Sequence, residues 1–191
     1  MEWTESNLKH LREFRKRIDN DNIRCKEIIK QKLINNPYII HVLNNKELED
    51  AEAEADDYFG VNIRPAYIIP ETQTDTKSYI CYTVGWKDSP QWNRNTIKFL
   101  QITFVILVHQ GQLIDKETYL ARHDLLAALI NDEFNLSLAF GDRIQIVSDI
   151  ENVVDTAYVS RTLVYETMTD KDLVKTKNGI PTIVNHRMDE V

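Results

Sequence analysis

The sequence predicts an α+β domain: a mainly antiparallel sheet of about five strands with helices packed on one face. Residues 97–110 are apolar on both faces of one strand, which is typical of a strand at the centre of a sheet. Residues 116–134 have the periodicity of an amphipathic helix. The strands also follow one another with few crossovers, and this order favours antiparallel pairing.

Helices are predicted to open the chain. Apolar residues recur at helical spacing over residues 5–18, where Ser6 is a suitable N-cap. A second helix is predicted over residues 23–33. Pro37 follows an Asn-Asn break and favours a short third helix through Leu43, because proline is tolerated at the first position of a helix.

Three strands are predicted next. Residues 61–69 alternate as a strand, but Pro65 cannot donate a ladder hydrogen bond, so this strand is expected at a sheet edge. Residues 78–86 alternate in the same way and form the second strand. The run at residues 97–110 is then the third strand and the centre of the sheet.

One helix and two further strands complete the predicted domain. The helix is expected from about Lys116 to Phe134, with Asp115 as its N-cap. Residues 143–154 and 156–168 alternate as strands and are expected to pair as a hairpin.

The chain is predicted to have three parts. Residues 1–44 form an N-terminal helical segment, residues 45–168 form the α+β core domain, and the polar residues 169–191 form an extended C-terminal arm. Apolar residues make up 42% of the chain, which is enough for a buried core in the central part.

Composition argues against several classes of protein. No run approaches the roughly 20 apolar residues of a membrane helix, and the N-terminus lacks the apolar stretch of a secretory signal. Cys25 and Cys81 have no metal-ligand spacing and are expected to be reduced thiols. The net charge of −7 argues against a protein that grips nucleic acid, since such affinity comes largely from lysine and arginine.

The charge is concentrated in one acidic block. Residues 46–57 contain one lysine and seven acidic residues. Such a block usually forms a solvated helix face or loop. The functional alternative is a docking patch for a basic partner. Calcium binding is disfavoured because the block lacks the alternating ligands and the turn glycine of a calcium loop.

The sequence contains no G-x-S-x-G, H-E-x-x-H or C-x-x-C motif, and the five glycines do not form a phosphate-binding loop. Asp75 and Lys77, with Asp56 and Asp57 upstream, form a weak likeness to the acid-x-Lys pair of metal-dependent nucleases. The surrounding polar turn explains the same residues as a solvated loop.

A second constellation combines His109 with the consecutive residues Arg122, His123 and Asp124. Two histidines and a carboxylate could bind a divalent metal. His123 and Asp124 are adjacent on a helix, however, so they are not expected to share one face. Capping or an interface role is favoured, with Arg122 as an ion-pair partner across a subunit contact.

Aromatic residues gather around the second strand. Stacking of single-stranded nucleic acid needs such residues with basic neighbours, and few basic residues lie near. Core packing and a protein contact are favoured instead. The aromatic residues are Tyr79, Tyr82, Trp86 and Trp92, and the basic ones are Lys87, Arg94 and Lys98.

Over residues 20–168 the chain resembles the tail terminator (tail completion, neck) proteins of tailed bacteriophages. The resemblance rests on the order helix, three strands, helix, two strands. It also rests on the apolar strand end at residues 104–108 before the helix at 121–130, and on the Asn-Pro break between the two helices of residues 23–43.

The resemblance implies a virion protein made in the host bacterial cytoplasm and built into the neck of the phage. Subunits would form a closed ring, a hexamer, that caps the tail tube and joins the tail to the head connector. The implied partners are further copies of the chain, the tail tube protein and a connector or head-closure protein. DNA would pass through the lumen without specific binding, and the arm at 169–191 would wrap a neighbour.

The resemblance also implies a protein that is not an enzyme, with no catalytic, cofactor-binding or metal-binding residues, no cofactor and no membrane contact. Three alternatives stay open. The first is a head-closure or other neck-ring protein. The second is a small Mg²⁺-dependent nuclease that uses Asp57, Asp75 and Lys77. The third is a cytoplasmic adaptor whose acidic block binds a basic partner.

Overall fold

The computed structural model describes eight segments of the chain, which are residues 5–13, 21–67, 76–88, 98–140, 143–153, 157–169, 174–177 and 180–183. Within them the helices are α1 (Glu5–Glu13), α2 (Asp21–Ile34), α3 (Pro37–Leu43), α4 (Lys46–Asp50) and α5 (Arg122–Phe134). The strands are β1 (Ile63–Arg64), β2 (Tyr79–Asp88), β3 (Lys98–His109), β4 (Gln145–Val153), β5 (Tyr158–Thr169), β6 (Val174–Lys177) and β7 (Ile180–Ile183).

The described strands β1 to β5 form one sheet in the order β1-β2-β3-β5-β4. The pairs β2–β3, β3–β5 and β4–β5 are antiparallel, whereas β1 runs parallel to β2. The prediction of an α+β fold with a mainly antiparallel, five-stranded sheet is therefore confirmed, as is the central position of β3. The hairpin predicted from the two last strands of the domain is β4–β5.

The first strand is much shorter than the sequence predicts. The strand expected over residues 61–69 is reduced to Ile63–Arg64, which lies at a sheet edge as expected. Upstream, Gly60 has a φ of +88°, so the chain turns into β1 instead of running straight along β2. Downstream, Pro65 has no N–H to continue the ladder, which explains why pairing stops after Arg64.

One face of the sheet holds the main core. The side chains of Leu100, Ile102, Phe104, Ile106 and Val108 on β3 are all buried there. They pack in one cluster with apolar residues of α2, α3 and α5, so the helices cover one face as predicted. Burial of each such side chain contributes about 1.5–3 kcal/mol, which makes this layer the chief source of stability.

The opposite face of β3 is less buried than its apolar run suggests. Leu107 is buried in a small second cluster with Tyr79, Cys81 and Tyr158, but Val105 is only partly buried. Polar residues Gln101 and Thr103 follow on the same face. The expectation of a strand buried equally on both sides is thus wrong for this half of β3, because no helix among the described residues packs on that face.

The helix after β3 begins later than predicted. It was expected from Lys116 but starts at Arg122, because Asp115 caps a separate turn. The Asp115 carboxylate accepts hydrogen bonds from the backbone N–H and the hydroxyl of Thr118. Tyr119 then adopts a left-handed φ of +58°, which helical continuation does not allow.

The N-terminal helices follow the sequence closely. The Asn36 side chain caps α3 by accepting hydrogen bonds from the N–H groups of Tyr38 and Ile39, and Pro37 occupies the first turn. Helix α1 is described only to residue 13, so the rest of the predicted helix to residue 18 lies outside the described residues. Cys25 and Cys81 are both buried thiols.

The predicted arm at residues 169–191 contains a described hairpin, β6–β7, and its other residues lie outside the described part of the chain apart from Thr169 at the end of β5. The division at residues 44 and 168 stays a prediction. Across the described segments, the structure contains no helix whose length and apolar character would let it span a membrane.

Candidate functional site

Three consecutive polar residues open α5, and the fold divides them between two sites. Arg122 and His123 are buried, whereas Asp124 is exposed. A helix turns by about 100° per residue, so neighbours along it meet different surroundings. Arg122 belongs to one polar site and His123 with Asp124 to another.

The first site is an inner clamp formed by Arg122, Asp115 and two carbonyl groups. The Arg122 guanidinium donates to the carbonyl oxygens of Val42 at 2.7 Å and of Gln112 at 3.1 Å. It also donates to Asp115 Oδ1 at 3.2 Å. These bonds join the end of α3, the turn after β3 and the start of α5, so the clamp holds three segments in place.

The pKa values of the two charged residues in the inner clamp are shifted by hydrogen bonds, by their opposite charges and by burial. Hydrogen bonds from Thr118 lower the pKa of Asp115, and the charge of Arg122 lowers it further. Burial lowers the pKa of Arg122 despite the opposing effect of Asp115. Arg122 was expected to pair across a subunit contact; within its own chain its side chain is buried and bonds to Val42, Gln112 and Asp115, and the subunit contact stays a prediction.

The second site is an edge cluster formed by His123, Asp124, Asp149, Glu151 and Arg161. Arg161 donates to both oxygens of Asp149, at 2.7 and 2.8 Å, and also contacts Asp124 Oδ1. The hydrogen bonds that Arg161 donates to Asp149 raise the pKa of Arg161 most strongly. Asp124, Asp149 and Arg161 line an open cleft of about 440 Å³ between α5 and β4.

His123 is the buried member of the edge cluster. Its Nε2 lies 3.3 Å from Asp124 Oδ1 and 3.3 Å from Glu151 Oε1. Neither ring nitrogen has an aligned hydrogen bond to any described residue. Sequence spacing suggested that His123 and Asp124 would not share a face. That inference is wrong, because the two side chains bend towards the same point beside β4.

A β-bulge explains how two carboxylates of β4 reach α5. Ile146 pairs with Tyr165 and Ser148 with Val164, so Val147 is an extra residue in the ladder. The insertion shifts the alternation by one residue and places Asp149 and Glu151 on the helix-covered face of the sheet. Without the bulge that face would carry Ile150, and the cluster would not form.

His109 does not join the edge cluster. Its Nδ1 accepts a hydrogen bond from the Gly111 N–H, and its ring packs edge-on against Tyr158. Tyr158 lies in the small cluster on the opposite face of the sheet from α5. The two-histidine metal site considered from the sequence is therefore not assembled, and Glu151 takes the place expected for His109. The sequence offered no signal for Glu151.

The residues of the nuclease alternative are engaged separately. Asp57 accepts a hydrogen bond from the Glu54 N–H, and Lys77 pairs with Glu47 at 2.8 Å. Asp75 lies outside the described residues. These contacts give Asp57 and Lys77 local structural roles.

The aromatic residues of the second strand serve mainly as packing. Tyr79 and Tyr82 are buried on opposite faces of β2, and the Tyr82 hydroxyl donates to the Lys26 carbonyl. Burial raises the pKa of Tyr82, so its hydroxyl stays neutral. Trp86 is partly buried and donates to the Asn22 side chain. The other residues of this set, Trp92, Arg94 and the side chain of Lys98, lie outside the described part.

The acidic block at residues 46–57 lies on α4 and the 3-10 helix that follows. Its seven carboxylates are exposed, as expected for a solvated surface. Lys30 pairs with Asp56, and Lys77 pairs with Glu47, so two of the seven have a basic neighbour within the chain. A basic partner for the block stays a prediction.

The exposed apolar side chains include two groups, one on β4 and one in the loop before α5. Strand β4 lies at the sheet edge and exposes Val147, Ile150 and Val153 by 54%, 53% and 71%. The second surface, called here the α5 approach loop, covers residues 114–120 and exposes more than half of Ile114, Tyr119 and Leu120. Exposed apolar side chains and a strand edge with no partner among the described residues are both features of protein interfaces.

These features define a class: an α+β protein with one helix-covered sheet, an edge strand that carries exposed apolar residues and pairs on one side only among the described residues, and a polar cluster beside it. Residues 36–167 match the model of the YomW family, which is more than half of the chain. The protein therefore belongs to the YomW family, a phage-derived family. This confirms the phage origin implied by the sequence resemblance. None of the curated proteins matches the chain.

Proposed function

We propose that the protein is a structural subunit of a phage particle that assembles into a closed ring, and that the ring is the tail terminator. The observation that carries the proposal is the exposed apolar edge strand β4, with Val147, Ile150 and Val153 on its surface. Membership of a phage-derived family supports a role in a phage particle. An edge strand of this kind is a liability in a monomer, and pairing with a neighbour removes it.

Ring closure requires two different surfaces on each subunit. A head-to-tail contact joins unlike patches, and it generates a ring when the rotation closes. Strand β4 supplies one patch and the α5 approach loop supplies the other, with Tyr119 as its most exposed apolar residue. In the ring each β4 edge contacts the approach loop of the next subunit, and the expected closed form is a hexamer.

The partners follow from the place of the ring in the particle. The ring caps the tail tube protein on one side and meets a connector or head-closure protein on the other. The net charge of −7 suits a lumen through which DNA slides without being held. The C-terminal arm from residue 169 wraps a neighbouring subunit in the assembly.

The mass of the purified full-length protein tests the ring directly. Light scattering after size exclusion is expected to give a closed oligomer, alone or after addition of the tail tube protein. Ile150→Lys and Tyr119→Lys should each return the protein to a monomer, because each places a charge in one of the two patches. Tyr38→Lys is the matched control, since Tyr38 is also exposed and apolar but lies on α3.

Two outcomes would overturn the ring. One is a monomer that ignores the tail tube protein. The other is an oligomer that both patch variants leave intact. Binding to a connector protein with no affinity for the tube would contradict the tail terminator and favour the head-closure alternative. A truncation before Asp170 should weaken the assembly, and an unchanged assembly would disprove the role of the arm.

A further inference from the structure

His123 is a buried polar side chain with unused bonding capacity. Its side chain is 4% exposed, and both ring nitrogens lack an aligned hydrogen-bond partner among the described residues. Buried polar atoms are nearly always partnered in native proteins, so each exception calls for an explanation. Here Nε2 faces two carboxylates, those of Asp124 and Glu151, at 3.3 Å each.

The spacing of these atoms fits a tetrahedral metal ion. Zn²⁺ binds nitrogen and oxygen ligands at about 2.0–2.2 Å, so two ligands of a tetrahedral site lie about 3.3–3.5 Å apart. The two distances from His123 Nε2 agree with that value, and the three ligand atoms all lie within 4.8 Å of one another. Both distances are slightly long for an N–H···O hydrogen bond.

The charge of the edge cluster also matches one divalent cation. Three carboxylates, those of Asp124, Asp149 and Glu151, stand against the single guanidinium of Arg161. With a neutral imidazole the cluster therefore has a formal charge of −2. One Zn²⁺ would neutralise it, and a neutral imidazole is the form that binds metal.

The surroundings provide an outer shell and a route of entry. Arg161 contacts the same Asp124 oxygen that faces His123, and it is fixed in turn by Asp149. Hydrogen-bonded outer partners of this kind orient the carboxylates that bind a metal. Asp124 and Glu151 are exposed, so an ion can reach the buried imidazole from solvent.

We propose that His123, Asp124 and Glu151 form a binding site for one Zn²⁺ ion between α5 and the edge strand β4. Three protein ligands leave a fourth position for water or for a side chain of another protein. The ion ties β4 to α5, and so it stabilises the strand on which the exposed apolar edge lies. The site does not depend on ring formation.

Zinc titration of the full-length protein, freed of metal with a chelator, tests the proposal. Calorimetry is expected to show one zinc ion per chain, with a higher melting temperature in the presence of zinc. His123→Gln should remove this binding. Glu151→Gln should lower the affinity by more than the roughly 10–100-fold that loss of an outer-shell partner costs.

His41→Gln is the matched control. His41 also lies 3.3 Å from a carboxylate, that of Glu117, but both side chains are exposed. This variant should bind zinc like the unaltered protein. Glu151 is exposed on an edge strand, so Glu151→Gln keeps the test valid even if His123→Gln does not fold. Absence of one-to-one zinc binding would overturn the site, and so would unchanged affinity in Glu151→Gln.

Discussion

Arg122 and Arg161 each bind carboxylates beside the start of α5, yet their surroundings give them opposite properties. The Arg122 side chain is 6% exposed and that of Arg161 is 26% exposed. Burial lowers the pKa of Arg122, whereas the hydrogen bonds that Arg161 donates to Asp149 raise the pKa of Arg161. Arg122 donates mostly to backbone carbonyls, and Arg161 binds only carboxylates in its described contacts.

The comparison shows how burial changes the role of an arginine that binds carboxylates. The inner clamp is closed: its donors and acceptors are paired, and removal of one partner would leave a buried group without a bond. The edge cluster is open: its arginine is partly solvated, its charge is unbalanced and one imidazole is unpaired. The first arrangement serves stability, and the second leaves capacity for a ligand.

The largest effect is expected from breaking the inner clamp. Arg122→Met should lower the free energy of unfolding by about 3–5 kcal/mol, because Asp115 would stay buried without its cation and two carbonyls would lose their donor. Chemical denaturation measures this change. The control is Arg143→Met, since Arg143 is exposed. A loss for Arg122→Met no larger than for the control would contradict the clamp.

Removal of the Asp115 charge should lower the free energy of unfolding by less than the loss of Arg122 does. It should also change how that free energy depends on pH. Asp115→Asn is expected to lower the free energy of unfolding by roughly 1.5–3 kcal/mol at neutral pH. The folded-state pKa of Asp115 is lowered, so its contribution is present above the unfolded pKa and is lost as pH falls through the folded value. The variant should therefore lose less stability on acidification than the unaltered protein.

Denaturation midpoints measured from neutral to acid pH check this prediction. Asp50→Asn is the control, because Asp50 is exposed on α4. If the stability of Asp115→Asn and that of the unaltered protein change in parallel with pH, the Asp115 charge does not contribute to the pH dependence of stability.

The smallest effect on stability is expected at the edge cluster. Arg161→Gln should lower the free energy of unfolding by only about 1 kcal/mol, since partly exposed ion pairs contribute little. The same change should lower zinc affinity by roughly 10–100-fold, because Asp124 would lose the group that orients it. A large loss of stability with unchanged zinc affinity would contradict this prediction, because Arg161 would then have the stabilising role assigned to Arg122.

Local patterns in the sequence were sufficient for much of the fold. The apolar run on both faces of residues 97–110 predicted β3 at the centre of the sheet, and Pro37 predicted the start of α3. Both features depend on neighbours in the chain, through side-chain alternation and the conformational limits of proline. The prediction of Asp115 as the N-cap of the helix was wrong, because Asp115 caps a separate turn and the left-handed Tyr119 delays the helix to Arg122.

The two polar sites were decided by tertiary structure. Nothing local distinguishes Arg122, which faces the buried end of α3, from Arg161, which lies partly exposed on β5 beside the edge strand. Glu151 reaches His123 only because the bulge at Val147 shifts β4 by one residue. The sequence by itself determined which segments become strands and helices. The meeting of side chains distant in the chain depends on register and packing, which only the folded chain sets.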